Sequence, residues 1–138
     1  TKLLRMPALG LGTWPMKGAE CEAAVESALA LGYRHLDTAE MYGNEEAVGA
    51  ALARSAVPRA EIFLTTKVWF DKPDEASFHA AALRCLERLR QPHVDLLLVH
   101  WPSPAMDLPG ILTALARLHR DGQAKAVGVS NFPAGLLK

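Results

Sequence analysis

The sequence is poor in several features that would each announce a class of protein. Two of its 138 residues are cysteine, Cys21 and Cys85, too few for a disulfide scaffold or a Cys-rich metal centre. Both fall on apolar helical faces, and the expected setting is a reducing cytoplasm. An excess of one charge is also missing, since 15 Lys and Arg balance 15 Asp and Glu. Zero net charge gives no electrostatic case for a nucleic-acid partner. Without a block of like charge there is no interaction tail either. Uninterrupted apolar runs reach only the length of Leu96–Val99, far short of a membrane span. No basic, then apolar, then small-residue leader opens the chain at Thr1, so secretion is not expected. The Walker-type loop, the nucleophile elbow and zinc-ligand spacing are absent too. What remains is a chain 50% hydrophobic and 22% charged, the composition of one ordinary domain with a core.

Two periodicities alternate along it. Leu9–Trp14, Tyr33–Ala39, Ile62–Val68, Val94–Trp101 and Ala124–Asn131 read as strands with near-continuous apolar character. Between them lie helical stretches. Ala19–Leu31 carries Cys21, Val25, Ala28 and Leu29 on one face and stops at Gly32. The next helix is expected to be capped by the Asn44 side chain, with Glu45 and Glu46 in its first turn, where the helix dipole favours acids. The third follows Asp74 as N-cap, with the stripe Phe78, Ala82, Cys85, Leu86 and Leu89. The fourth spans Leu108–Arg120 and is expected to turn Leu108, Ile111, Leu112, Leu115 and Leu118 inward. From Pro133 a fifth helix is expected to begin.

Strand and helix in strict alternation call for a parallel sheet, because parallel neighbours need a crossover. Four and a half such units in this length give roughly 31 residues each, so eight would need about 245, the usual size of a (β/α)₈ barrel. The chain therefore reads as strands 1–5 and helices 1–4 of such a TIM barrel, residues 1–138 being the N-terminal part of one domain. A complete five-stranded open sheet of flavodoxin type is the alternative, and length does not separate the two.

The strand ends carry the chemistry. The first ends in Thr13 and Trp14, and the second in Asp37 with Tyr42 in the following loop. The third ends in Lys67 and Trp69, the fourth in His100 and Trp101, the fifth in Ser130 and Asn131. A parallel sheet brings these ends to one rim, and a barrel gathers them into one mouth. Singly, each has an ordinary explanation: Asp37 a turn residue, Tyr42 a loop aromatic, His100 a core histidine, the tryptophans core. Lys67 is the most telling, because an ammonium at the end of a buried strand needs a partner. Gly10-Leu-Gly12 echoes a dinucleotide fingerprint, but Pro15 occupies the third glycine position and the helix starts later, so no pyrophosphate cradle follows.

At these residues the sequence closely resembles the N-terminal part of the aldo-keto reductases, and most of all bacterial diketogluconate-reductase-like members. The resemblance rests on Met6–Trp14, on Gly32-Tyr-Arg-His-Leu-Asp37-Thr-Ala-Glu-Met-Tyr42-Gly-Asn-Glu45-Glu-Ala-Val48-Gly49, on Thr65-Thr-Lys67-Val-Trp69, on Val99-His100-Trp101-Pro102 and on Lys125–Phe132. It implies an NADPH-dependent oxidoreductase that reduces an aldehyde or ketone to an alcohol, with NADH as the other candidate cofactor. It implies Asp37, Tyr42, Lys67 and His100 as a catalytic tetrad. Thr13, Trp14, Asp37, Ser130 and Asn131 fall where the family contacts the nicotinamide end of the cofactor, and Trp14, Trp69 and Trp101 where it lines the substrate pocket. The logic of such a tetrad is physical. Hydride addition leaves charge on a carbonyl oxygen, so an acid must stand there. A phenol is a poor acid at neutral pH unless an ammonium favours its phenolate. A carboxylate can hold that ammonium, and an imidazole can orient the oxygen. The remaining strands, expected to complete the cofactor site, are not in this sequence. A whole barrel is expected to be monomeric, while a half barrel, with two open sheet edges, is expected to self-associate. The other readings are a non-catalytic nucleotide-binding or regulatory module on the same fold, or an inactive half-barrel fragment.

Overall fold

The computed structural model describes residues 4–137. Its strands are β1 (Leu11–Gly12), β2 (His35–Asp37), β3 (Phe63–Val68), β4 (Val94–Val99) and β5 (Ala124–Val129), all parallel. Between them run α1 (Gly18–Ala30), α2 (Glu45–Arg54), α3 (Glu75–Leu89) and α4 (Leu108–Arg120). Short 3-10 turns at Glu40–Tyr42, Arg59–Glu61 and Ala134–Leu137 complete the order. The last stands where a fifth helix was expected to begin.

Strand order decides between the two architectures. The five strands lie side by side in chain order, β1-β2-β3-β4-β5. A flavodoxin-type sheet would exchange the first two. Sequential order without a switch point is that of a partial (β/α)₈ barrel, its helices on one face. That face is the core: Leu36, Leu64, Val68, Leu97 and Val99 from the strands meet Val25, Val48, Phe78, Leu89, Ile111 and Leu118 from the helices. The alternate strand residues point the other way. In parallel register this set includes Asp37 beside Thr65, Lys67 beside Leu98, and Leu96 beside Ala126. Leu96, Leu98 and Ala126 are half-buried, so the sheet is closed on its helix face and partly open on its concave face.

Local expectations held unevenly. Asp74 caps α3 through a reciprocal box with Ser77, accepting Ser77 N–H at 2.8 Å, and those hydrogen bonds hold its carboxyl below the usual aspartate range. Asn44 precedes α2, but its side chain does not cap it. The amide is drawn instead to the carbonyls of Thr13 and Met16. Glu45 is 1% exposed rather than displayed on the first turn. It accepts Thr66 Oγ1 at 2.5 Å and Arg88 Nε at 2.8 Å, joining α2, β3 and α3. Leu112, expected inside, is exposed, and Leu108 is only half-buried. The buried stripe of α4 is Ile111, Ala114, Leu115 and Leu118, which keeps the helical period once a small alanine takes a core position.

Gly49 shows how closely the helix layer packs. A Cβ at Gly49 would lie 2.6 Å from Leu89 O and 2.8 Å from Arg88 O, and those are backbone atoms that cannot swing aside. Gly49→Ala is therefore expected to destabilise the fold by about 1–3 kcal/mol through overpacking, against the gain of up to about 1 kcal/mol that alanine brings to a free helix. Gly110→Ala is the control, because its added carbon meets the movable Asp107 carboxylate. Urea unfolding of the two variants checks the contrast.

Candidate active site

The C-terminal ends of the strands do converge. Lys67 is the fifth residue of β3, and its side chain is 8% exposed. Its Nζ donates to Asp37 Oδ1 at 2.5 Å and to Thr38 O at 3.0 Å, and it lies 5.1 Å from the centroid of the Tyr42 ring. The Tyr42 ring in turn meets the His100 imidazole edge-on, with centroids 5.6 Å apart. So the acid, the phenol, the ammonium and the imidazole picked out in the sequence form one contiguous cluster. His100 is 7% exposed, and its Nδ1 is buried without a hydrogen-bond partner among the described residues. Burial pushes its pKa down, and the Lys67 charge pushes the same way against the opposing pull of Asp37.

Aromatic rings frame the cluster. Trp69 packs edge-on against His100 at 5.0 Å and lies tilted against Phe70 at 4.5 Å, while Trp14 tilts over Tyr42 at 5.3 Å. Trp14 and Trp101 are exposed at the rim, and Trp69 is half-buried. At the end of β5, Ser130 N–H continues the ladder onto Val99 O at 2.8 Å. Asn131 then takes a left-handed φ of 61°, which asparagine tolerates, and its amide donates to His100 O at 2.8 Å and to Ser130 Oγ at 3.0 Å.

Thr13 lies behind the end of β2. It is 0% exposed, and both its N–H (3.0 Å) and its hydroxyl (3.1 Å) donate to Asp37 O. Its side chain holds the end of β2 in place and offers nothing to the rim. The fixture includes Asn44, the expected cap of α2. Asn44 Oδ1 accepts Thr38 Oγ1 at 2.6 Å, while Nδ2 donates to Thr13 O at 3.1 Å and Met16 O at 3.0 Å. Lys17 Nζ donates to Tyr42 O. These partners are distant in sequence, and a signal for them could come only from an asparagine sitting where a strand-end loop leaves carbonyls to satisfy.

A second polar cluster lies away from the rim. A hollow of about 820 Å³ opens at the opposite end of the strands, lined by Arg5, Phe63, Asp95 and Lys125 among others. There Asp95, 4% exposed, accepts from Arg59 Nη2 at 2.9 Å, Leu64 N–H at 3.0 Å and Lys125 Nζ at 2.7 Å. Those contacts hold its carboxyl below the usual range although burial opposes them. Among the described residues no group of three or more His, Cys, Asp and Glu could hold a metal ion, and no helix is long and apolar enough to cross a membrane.

Two outcomes follow. Asn44→Ala leaves the Met16 carbonyl and the buried Thr38 hydroxyl without these partners, while Thr13 O keeps the Met16 N–H at 2.9 Å, and is expected to cost about 1–3 kcal/mol, read by urea unfolding. His100 and His93 both titrate below 6.5 in the folded chain, each chiefly through burial. The unfolded chain therefore binds more protons just below that value, and stability is expected to fall as pH drops from 7 through 6. Ordinary carboxylates enter only nearer pH 4. His100→Gln should flatten this slope, measured as unfolding free energy against pH.

The comparisons with known proteins converge on one family. The Aldo/keto reductase family model matches residues 8–138. The methylglyoxal reductase DkgB of Salmonella typhi is 41% identical over 137 residues, which cover 98% of this chain and 51% of that protein. A solved structure assigned as a 2,5-diketo-D-gluconic acid reductase B superposes with a TM-score of 0.92 at 45% identity, covering 96% of this chain and 47% of the other. An aldo-keto reductase solved in complex with NADPH gives a TM-score of 0.87 at 32% identity, covering 94% and 46%. The chain thus spans about half the length of the relatives it matches. With five sequential parallel strands and a family match over nearly all its length, the chain belongs to the aldo/keto reductase family.

Proposed function

We propose that residues 1–138 form the N-terminal part of a single barrel domain that reduces an aldehyde or ketone to an alcohol with NADPH or NADH, and that Tyr42 is its general acid. The observation that carries this reading is the Lys67 ammonium, fixed by Asp37 at 2.5 Å and lying 5.1 Å from the centroid of the Tyr42 ring, with His100 across that ring. The reduced nicotinamide, when bound, supplies the hydride to the carbonyl carbon. The Tyr42 hydroxyl gives its proton to the carbonyl oxygen as charge develops there. The Lys67 ammonium stabilises the phenolate left behind, and Asp37 keeps Lys67 in reach. His100, neutral near pH 7 because burial lowers its pKa, orients the oxygen by hydrogen bonding and does not compete as the acid. Trp14, Trp69 and Trp101 wall the mouth and exclude water.

The donor set at the end of β5 suits the cofactor. Ser130 offers a hydroxyl and Asn131 an amide, groups that pair with a carboxamide. With Trp14 and Asp37 they would hold the nicotinamide end, whereas the buried Thr13 supports Asp37 from behind. Small carbonyl compounds are the expected substrate class. Methylglyoxal is the natural first choice, because relatives such as DkgB are named for reducing it. A cytoplasmic setting suits the free, buried Cys21 and Cys85.

Tyr42→Phe, in the whole protein, is expected to lower kcat about 10²–10⁴-fold, the usual worth of a positioned acid, while NADPH binding followed by fluorescence is retained. Turnover close to the unmodified enzyme would remove Tyr42 from this role.

A further inference from the structure

The 3-10 turn that presents Tyr42 begins with Glu40, whose side chain reaches across to the loop after β3. The β3 ladder ends at Val68, whose carbonyl accepts His100 N–H at 3.0 Å. Trp69 is the first residue beyond it, and its N–H has no strand to donate to. Glu40 Oε2 takes that N–H at 3.0 Å, and Lys72 Nζ, which is hydrogen-bonded to Asp71 Oδ1, stands 3.4 Å from the same oxygen. The Lys72 and Glu40 side chains are only 14% and 18% exposed. This is therefore a largely desolvated contact and not a loose surface pair, and an ionised acceptor makes the stronger bond. The contacts close a ring. Tyr42 and Glu40 share one turn, Glu40 holds the Trp69 backbone, the Trp69 ring packs on His100, and His100 packs on Tyr42. The imidazole sits in a slot whose far wall is Trp69, and the position of that wall relative to Tyr42 is set by one carboxylate.

We propose that Glu40 is a positioning residue that fixes Trp69 against His100, and thereby sets the carbonyl-binding wall of the site, with Lys72 holding its carboxylate in place. The inference rests on the carbonyl-reductase reading of Tyr42 and His100. Glu40 touches neither the reacting atoms nor the phenol. It acts through Trp69, so its loss falls on substrate affinity and leaves the chemical step largely intact.

The test has a structural and a kinetic arm. In Glu40→Ala, exchange of the Trp69 amide, followed by NMR, is expected to speed up about tenfold relative to the Leu97 amide in the core of β4, as loss of one charge-assisted bond predicts. Glu40→Gln keeps an acceptor oxygen and is expected to stay within about threefold of the original. In the whole enzyme, Glu40→Ala is expected to raise KM for a small aldehyde about tenfold with kcat within about twofold, and Glu40→Gln to restore most of the affinity. Unchanged Trp69 exchange in Glu40→Ala overturns the proposal. So does an unchanged KM in an enzyme whose Tyr42→Phe variant has lost turnover, and that result leaves the reading of the site standing. An unmodified enzyme that reduces no aldehyde overturns the reading of the site, and with it the substrate role of the wall. Should Glu40→Ala fail to fold, Lys72→Met carries the test: it frees the carboxylate and is expected to raise both Trp69 exchange and KM, and no change in either overturns the proposal.

Discussion

A lysine ammonium at the end of a buried strand is the constraint around which this chain is arranged. Removing such a charge from water costs several kcal/mol unless a partner and hydrogen bonds compensate it. Lys67 receives one carboxylate, Asp37, and one carbonyl, Thr38 O. Much of the polar structure nearby exists to keep those two acceptors still. Thr13 grips the Asp37 carbonyl with both its N–H and its hydroxyl. Asn44 ties Thr38 to the loop after β1. On the other flank, Thr66 is held by Glu45, which Arg88 neutralises from α3. Helices two and three are therefore anchored to the residue next to Lys67, and a perturbation of the helix layer reaches the rim through one buried glutamate.

The sequence revealed the elements and the identity of the cluster for the same reason. Parallel strands buried against helices need apolar runs, and a strand's C-terminal end is where the run stops and polar residues begin. Asp37, Lys67 and His100 each close such a run, so they could be picked out by position. Strand limits were less legible. The stretch Leu9–Trp14 contains only the two-residue β1, and Tyr33–Ala39 only His35–Asp37. β1 is an edge strand and gives β2 only a two-residue partner, so both stretches are extended and apolar with few ladder bonds, and composition does not register the difference. Leu112 was misplaced because a leucine on a helical period outweighs an alanine in a pattern, whereas packing selected Ala114.

Side-chain destinations were the least legible. Asn44 stands where caps stand, and its backbone does open α2 by accepting Val48 N–H at 3.0 Å. Its side chain went to the Met16 carbonyl and the Thr38 hydroxyl, with a second bond to Thr13 O, because leaving the first two unpaired costs more than leaving a helix N–H to water. Thr13 shows the same competition, since the end of β2 takes its hydroxyl as well as its N–H. Glu40 gave no sign at all, because its partner Trp69 lies 29 positions away and is a backbone N–H.

The two ends of the sheet show how satisfaction of polar groups separates support from chemistry. At the N-terminal end Asp95 is as buried as Lys67 and His100, yet both its oxygens are engaged, by Arg59, Leu64 N–H and Lys125. The carboxylate itself has no oxygen free for a ligand, and the cluster reads as a bolt joining β3, β4 and β5. At the C-terminal end the balance is incomplete. His100 Nδ1 is buried without a partner among the described residues, the Tyr42 ring is half-buried, and Lys67 donates to two acceptors while an ammonium has three hydrogens to give. A folded chain tolerates such deficits where another molecule can make them good. The sheet thus carries two charged clusters, one centred on a carboxylate with both oxygens engaged and one on an ammonium beside an unpartnered imidazole nitrogen, and the second lies at the end where the family's fold gathers its loops.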